Sequence, residues 1–315
     1  MRYLAIRGLR AGVTLWLVVT FVFLVLRISG DPADILLPDD APEAVREFYR
    51  AKWGLTLPLH EQYLNYWRSL LQGDFGISLR NNLPAWEVVS SRAPKTLLLG
   101  FTALTISLAV GIPAGILAAW TRGSGFDRVV MSTAVFGFSM PNFFLGILLI
   151  LLFALHLRWL PSSGSDTAAH LILPALTLST GFAAQLARFT RSAMIEVLTR
   201  PYMATARSKG AGPLRRIVAH ALPNAAVPVV TILGLKVGEL IGGAVVVETV
   251  FAWPGLGRLV VHAVALRDLA VVQAILILIA ATMVATNLMV DLLYGWIDPR
   301  VRLGAAQQDR QEARR

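Results

Sequence analysis

Three stretches of this chain run for more than twenty residues without a formal charge. Thr96–Thr121 has 26 such residues, Val129–Leu157 has 29 with only His156 as a titratable interruption, and Leu269–Val290 has 22. About 20 consecutive apolar residues in a helix span the hydrocarbon core of a bilayer, so each run is long enough to cross with some tilt. Three further runs are weaker. Ala11–Leu26 is short but bracketed by Arg7, Arg10 and Arg27, whose aliphatic stems let the charges snorkel to an interface. Leu171–Ala187 is entered through His170, and Ala221–Val247 is apolar apart from Lys236 and Glu239. With 56% hydrophobic and only 15% charged residues, the chain has too little polar surface to cover a soluble domain. The expectation is an all-α membrane protein with six transmembrane helices.

The first run raises the question of a cleaved leader, because MRYLAIRGLR is a basic segment ahead of an apolar one. It ends in RISGDPAD without a small-x-small pair at the expected place, so a retained anchor is expected. Basic residues then set the orientation. The segments 1–10, 122–128, 188–220 and 299–315 hold 17 Lys and Arg, whereas 158–170 and 249–268 hold only Arg158, Arg258 and Arg267. Positively charged short loops stay inside, which puts both termini in the cytoplasm of a multi-pass membrane protein. The net charge of +10 is read as orientation and contact with anionic lipid, and nucleic acid is not expected as a partner. The chain has no cysteine, which excludes disulfides, iron–sulfur clusters and thiolate metal sites.

Four parts follow: residues 1–28 with the first span, an outer segment 29–95, a core 96–298 holding spans two to six, and a basic tail 299–315. In the outer segment, Pro42 to Gly54 and Pro58 to Gly73 each read as a short helix opened by proline and closed by glycine. Leu59, Tyr63, Tyr66, Trp67 and Leu70 form one face of the second, suited to packing or to a membrane-interface belt. The string DFGIS at Asp74–Ser78 matches a kinase motif in letters only, with no Gly-rich loop, lysine strand or catalytic loop around it. No GxxxxGK[ST] string is present, and the five histidines at 60, 156, 170, 220 and 262 lack metal-ligand spacing. Neither catalytic, cofactor-binding nor metal residues are expected; the chain reads as non-enzymatic.

The interruption between the fourth and fifth spans is the most informative stretch. In YMATARSKGAGPLRRIVAHALPNA, Pro201 starts a short helix and Gly210 stops it, Gly210–Gly212 makes a hinge-like turn, and a second short helix is expected over Leu214–Leu222. Tyr202, Ala206 and Lys209 fall near one face, with Met203 and Arg207 beside them. Small residues Ala204, Thr205 and Ala206 let another backbone approach. On chemistry alone this basic knob suits either anionic lipid or a protein groove.

The segment resembles the cytoplasmic loop of ABC-importer permeases, whose pattern is EAA, three residues, Gly, nine residues, then I-x-L-P. The matching positions are Ala204-Thr205-Ala206, Gly210, His220 and Leu222-Pro223, without the glutamate and the isoleucine. The variant Thr205-Ala206-Arg207-x-Lys209-Gly210 is the one usual in the dipeptide, oligopeptide and nickel branch. GDFGISL from Gly73, SMPNF at Ser139–Phe143, ETVFAWPGLGR at Glu248–Arg258 and DLLYGWIDPRVR at Asp291–Arg302 extend the likeness over nearly the whole chain. It implies a type I importer fold: two permeases, usually different, forming the pore; two ATP-binding subunits that hold ATP and magnesium and dock inside; and a substrate-binding protein outside. Within the segment 191–223, Tyr202, Ala204, Thr205, Ala206, Arg207, Lys209, Gly210, Leu222 and Pro223 would couple to an ATPase groove. Arginine at Gly210 would crowd the hinge and abolish uptake.

Ionisable and polar groups at membrane depth are costly and hence functional candidates. Lys236 and Glu239, spaced i, i+3, either pair with each other or line a path. Glu248 precedes Phe251–Gly257, where Pro254 and two glycines suggest a turn back into the outer mouth, and a gate-supporting role is expected. Pro141 should kink the third span, leaving Asn142 able to face the pore; Gln185 and Asn287 read as interhelical hydrogen bonders. Gly238–Gly243 (GELIGG) resembles the nickel-permease version of this span, which leans the substrate from di- or oligopeptides towards nickel or a metal chelate. An ion-gradient-driven transporter is the alternative, but the inverted repeats that such a protein carries are not evident between the halves.

Overall fold

In the computed structural model, residues 2–28, 42–52, 54–78 and 80–297 are described, and they are helical apart from turns and one isolated bridge. They fall into two units, one of residues 1–94 with 258–284 and one of residues 95–257 with 285–315.

In the first unit, α1 (Arg2–Ile28) is the first apolar run extended by its basic flanks. Two short helices follow, α2 (Glu43–Lys52) and α3 (Leu59–Leu71), each opening directly after the proline that announced it. The aromatic face of α3 packs on α1. Tyr63 OH and Thr20 Oγ1 share a hydrogen bond of 2.7 Å, and the Phe23 ring lies 5.3 Å from Tyr63 and 5.4 Å from Tyr66. The stripe is therefore packing, with a hydroxyl pair fixing its register. The DFGIS string is a turn: Asp74 Oδ1 accepts the Gly76 N–H (2.8 Å), and Ile77 bridges Pro84. Ser78 Oγ then donates to buried Asp268 Oδ2 (2.5 Å), the acid that precedes α11 (Leu269–Ile297).

The 36-residue helix α4 (Ala85–Trp120) starts eleven residues before its uncharged run. At 1.5 Å per residue it is roughly 54 Å long against a hydrocarbon core of about 30 Å, so its ends stand well clear of lipid tails. A turn at Thr121–Ser124 leads to α5 (Gly125–Ser139), with Ser124 as N-cap accepting the Asp127 N–H. Pro141 does more than kink the third run. It lacks an N–H to continue the ladder, and α5 breaks from α6 (Asn142–Leu149) at an angle of 103°. A wide π-helical stretch, Ile150–His156, completes that run.

The longest partner of these helices is α7 (Ala169–Leu198). It crosses α4 at very short range: a Cβ on Gly111 would stand 2.7 Å from Ala183 O, and one on Gly115 2.5 Å from Ala187 O. Next come α8 (Pro201–Ser208), a π-wound connection ending at Ala221, α9 (Leu222–Val250) and α10 (Leu256–Ala265). Two buried clusters mark the two ends of α7. Leu173, Leu178 and Phe182 pack with Leu99, Val247, Phe251 and Trp253; Leu186, Ala193 and Met194 pack with Ala119, Met203, Ala221 and Ala225. Among the described residues four helical stretches, Arg7–Val25, Ala85–Trp120, Ala169–Leu198 and Leu269–Met289, are long and apolar enough to cross a membrane, and five if the bent α5–α6 pair counts as one crossing.

Candidate functional site

Helix α8 is short and sits directly after α7, separated only by Thr199 and Arg200. Pro201 occupies its first turn, where a missing N–H costs nothing. Its end is a Schellman cap: Ala211 N–H reaches Ala206 O (3.1 Å), Gly210 N–H reaches Arg207 O (3.0 Å), and Gly210 takes φ +77°. Of its residues only Met203 is buried, in the cluster at that end of α7. Tyr202, Ala204, Thr205, Arg207, Lys209 and Gly210 are exposed and Ala206 is half-buried. One methionine thus seats a small basic helix whose remaining side chains face outward.

Two expectations change here. No atom lies within 4 Å of where a Cβ on Gly210 would stand, so the chain itself leaves room for a side chain there. What a side chain there would meet is the left-handed backbone, φ +77°, which costs an L-residue roughly 1–2 kcal/mol. Nor is Leu214–Leu222 a separate α-helix. After Pro213–Arg215 the chain widens into a π-helix over Arg216–Ala221 and continues straight into α9, with Leu222 half-buried and Pro223 exposed in its first turn. The Arg216 guanidinium stacks 5.3 Å from the Trp120 ring, tying this connection to the end of α4.

At the other end of α7 the Phe251–Gly255 turn is locked down. Glu248 is fully buried, and Thr96 Oγ1 lies 2.6 Å from its Oε1. The same Thr96 oxygen accepts the Leu256 N–H at 2.7 Å, so its own hydrogen points to the carboxyl. Trp253 N–H donates to Glu248 O (2.8 Å), Trp253 Nε1 donates to Lys95 O (3.0 Å), and Gly164 N–H donates to Phe251 O (3.1 Å). Any side chain at Gly255 would overlap the Glu248 carboxyl. Glu248 is therefore the keystone of a turn that folds back on the bundle.

Asn142 opens α6 at the sharp bend and is half-buried. Its Oδ1 lies 3.8 Å from the Cβ position of Gly181 on α7, and its Nδ2 3.7 Å from that of Gly243 on α9. The bend thus places an amide where two helices carry no side chain. Gln185 is half-buried on α7 and Asn287 exposed on α11. Lys236 and Glu239 lie on α9, but their side chains are outside the described ones. Among the described residues no group of three or more His, Asp or Glu is placed to hold a metal.

Sequence reasoning missed one pair. Asp127, in the first turn of α5, is buried and receives Arg191 of α7 in a two-pronged bridge, Nε to Oδ1 at 2.6 Å and Nη2 to Oδ2 at 2.7 Å. The Gly123 N–H adds a third donor at 2.9 Å. The available signal was a lone acid in a basic segment, three residues after a capping serine.

The described residues thus build helices of membrane-crossing length with a short, exposed basic helix between two long ones. Residues 111–303 match the family described as binding-protein-dependent transport system inner membrane component, and the chain belongs to that family. The glutathione transport system permease protein GsiC of Escherichia coli strain K12 is 44% identical over 290 residues, covering 92% of this chain and 95% of that protein. The protein of the same name from Shigella dysenteriae serotype 1 gives the same values. Among solved structures, the inward-facing MetNI methionine ABC transporter matches with a TM-score of 0.59 at 21% identity, covering 67% of this chain and 96% of that one. The chain is thus a permease subunit of a binding-protein-dependent ABC importer, a membrane component of the peptide and nickel class.

Proposed function

We propose that this chain forms half of the translocation pore of an ATP-driven bacterial importer for short peptides, with six spans and both ends in the cytoplasm. The observation that carries the coupling part is α8, whose exposed face from Tyr202 to Lys209 stands on a single buried methionine at the end of α7. Such a helix suits a groove on an ATP-binding subunit, and a second, different permease would supply the other half of the pore. A substrate-binding protein would deliver cargo at the opposite end, where the Glu248 turn supports the gate. Cargo moves when the ATPase pair closes and pulls α8, which biases the bundle between two states.

The GELIGG segment had leaned the substrate towards nickel, but the relatives above are named for glutathione, a peptide. Uptake in a deletion strain tests this: labelled glutathione, dipeptides, oligopeptides and nickel with and without chelator, each with and without the restored gene. Gene-dependent uptake of peptide is expected; uptake restricted to chelated nickel would overturn the peptide assignment. Collapse of the ion gradient with ATP held constant should leave uptake intact, and loss of uptake would favour a gradient-driven transporter.

A further inference from the structure

We propose that Asp127 and Arg191 are positioning residues for transport: a strut that makes α5 follow α7 when α8 is displaced. The inference rests on the importer reading above and concerns how movement leaves α8. Three observations place the strut on the route. Arg191 sits in the last third of α7, and only Thr199 and Arg200 separate that helix from α8. Met203 holds α8 against Leu186, Ala193 and Met194 of α7 and Ala119 of α4, so displacement of α8 acts directly on this end of α7. From Asp127 onward, α5 lies along α7: a Cβ on Gly137 would be 3.2 Å from Thr180 Cγ2, and the Arg188 guanidinium lies 5.5 Å from the Phe138 ring.

Beyond Phe138 comes the 103° break, and beyond that Asn142 facing Gly181 and Gly243. The sequence of contacts is α8, α7, the Arg191–Asp127 fork, α5, the bend, and the amide at the candidate path. A guanidinium–carboxylate fork is directional, two parallel hydrogen bonds of fixed geometry, and the Gly123 N–H adds a third bond to the Oδ2 that Arg191 Nη2 also reaches. Apolar contacts alone would let α5 slide along α7; the fork resists sliding and rotation together. With Asp127 buried and Arg191 half-buried, such a pair is seldom the cheapest source of stability, which favours a role in geometry.

The complete complex in proteoliposomes, with its partner permease, ATPase subunits and binding protein, gives the test. The readout is cargo moved per ATP hydrolysed, with retained ATPase subunit measured alongside. Arg191→Lys keeps the charge and loses the fork, Asp127→Asn loses the charge, and the double variant Asp127→Arg, Arg191→Asp reverses the pair. Each single variant is expected to lower the ratio at least about fivefold, the lower edge of usual coupling free energies, and the reversed pair to recover most of it. A wild-type ratio in Arg191→Lys overturns the proposal. So does a loss of uptake that merely tracks loss of assembled complex, since a structural role would leave the ratio unchanged. Should Asp127→Asn not assemble, Arg191→Lys decides alone. Failure of the unaltered complex to import with ATP would instead remove the importer reading.

Discussion

Replacing Thr96 with valine removes one oxygen and changes the shape of the side chain very little. That oxygen accepts the Leu256 N–H and donates to Glu248 at 2.7 and 2.6 Å, between groups with almost no solvent contact: Thr96 is 7% exposed and Glu248 0%. An unmet buried donor costs about 1–3 kcal/mol, and the weakened carboxyl adds about 1, so a loss of about 2–4 kcal/mol is expected. For a unit of this size each kcal/mol moves the melting midpoint by about 2–4 °C, which makes a fall of roughly 4–16 °C a measurable outcome. Thr96→Ser keeps the oxygen and loses a methyl group, at about 1 kcal/mol. Tryptophan fluorescence of the detergent-solubilised chain, summed over its eight tryptophans with Trp253 in the same turn, follows the transition. A midpoint for Thr96→Val within 1 °C of the unaltered chain would refute the keystone argument, given roughly 2–4 °C per kcal/mol. Equal losses for valine and serine would refute it too, since the hydroxyl would then be irrelevant.

Gly210 takes φ +77° in open space, so Gly210→Asn should retain most uptake and Gly210→Val should abolish it with membrane insertion intact; equal uptake in the two would refute the backbone argument. Met203→Ala empties a buried site, at about 2–5 kcal/mol, and is expected to reduce the ATPase subunit recovered with the chain; unchanged recovery would show that α8 is seated by something else. Gly115→Ala puts a methyl 2.5 Å from Ala187 O, so the folded chain should fall sharply in membrane fractions, while Gly100→Ala, in open space, should accumulate normally.

The helical class was legible because charge-free runs have one stable solution in lipid. Pro42, Pro58 and Pro201 announced the starts of short helices within one residue of where they lie, and Gly210 stands two residues past the end of α8. What the sequence hid was geometry set by packing between distant segments. Pro141 signalled a kink but not a 103° break, because the angle depends on what α7 and α9 leave open beside Asn142. Arg216–Ala221 has no residue that marks a π-helix. Asp127 and Arg191 stand 64 positions apart, and nothing local links them. Gly210 was read correctly as a stop and wrongly as a crowded hinge, since a glycine letter does not distinguish lack of space from a left-handed backbone.

The absence of cysteine allows the docking claim to be tested directly. A single cysteine in place of exposed Thr205 on α8, alkylated with a maleimide that carries a photoactivatable group and irradiated in membranes of the native host, is expected to cross-link to an ATP-binding subunit and to do so more strongly when ATP is added. A cysteine in place of Trp159, also exposed but before the start of α7, is expected to give no such product. Cross-linking to the ATPase from position 159, or its absence from position 205 in membranes that carry out uptake, would contradict the assignment of α8 as the coupling helix.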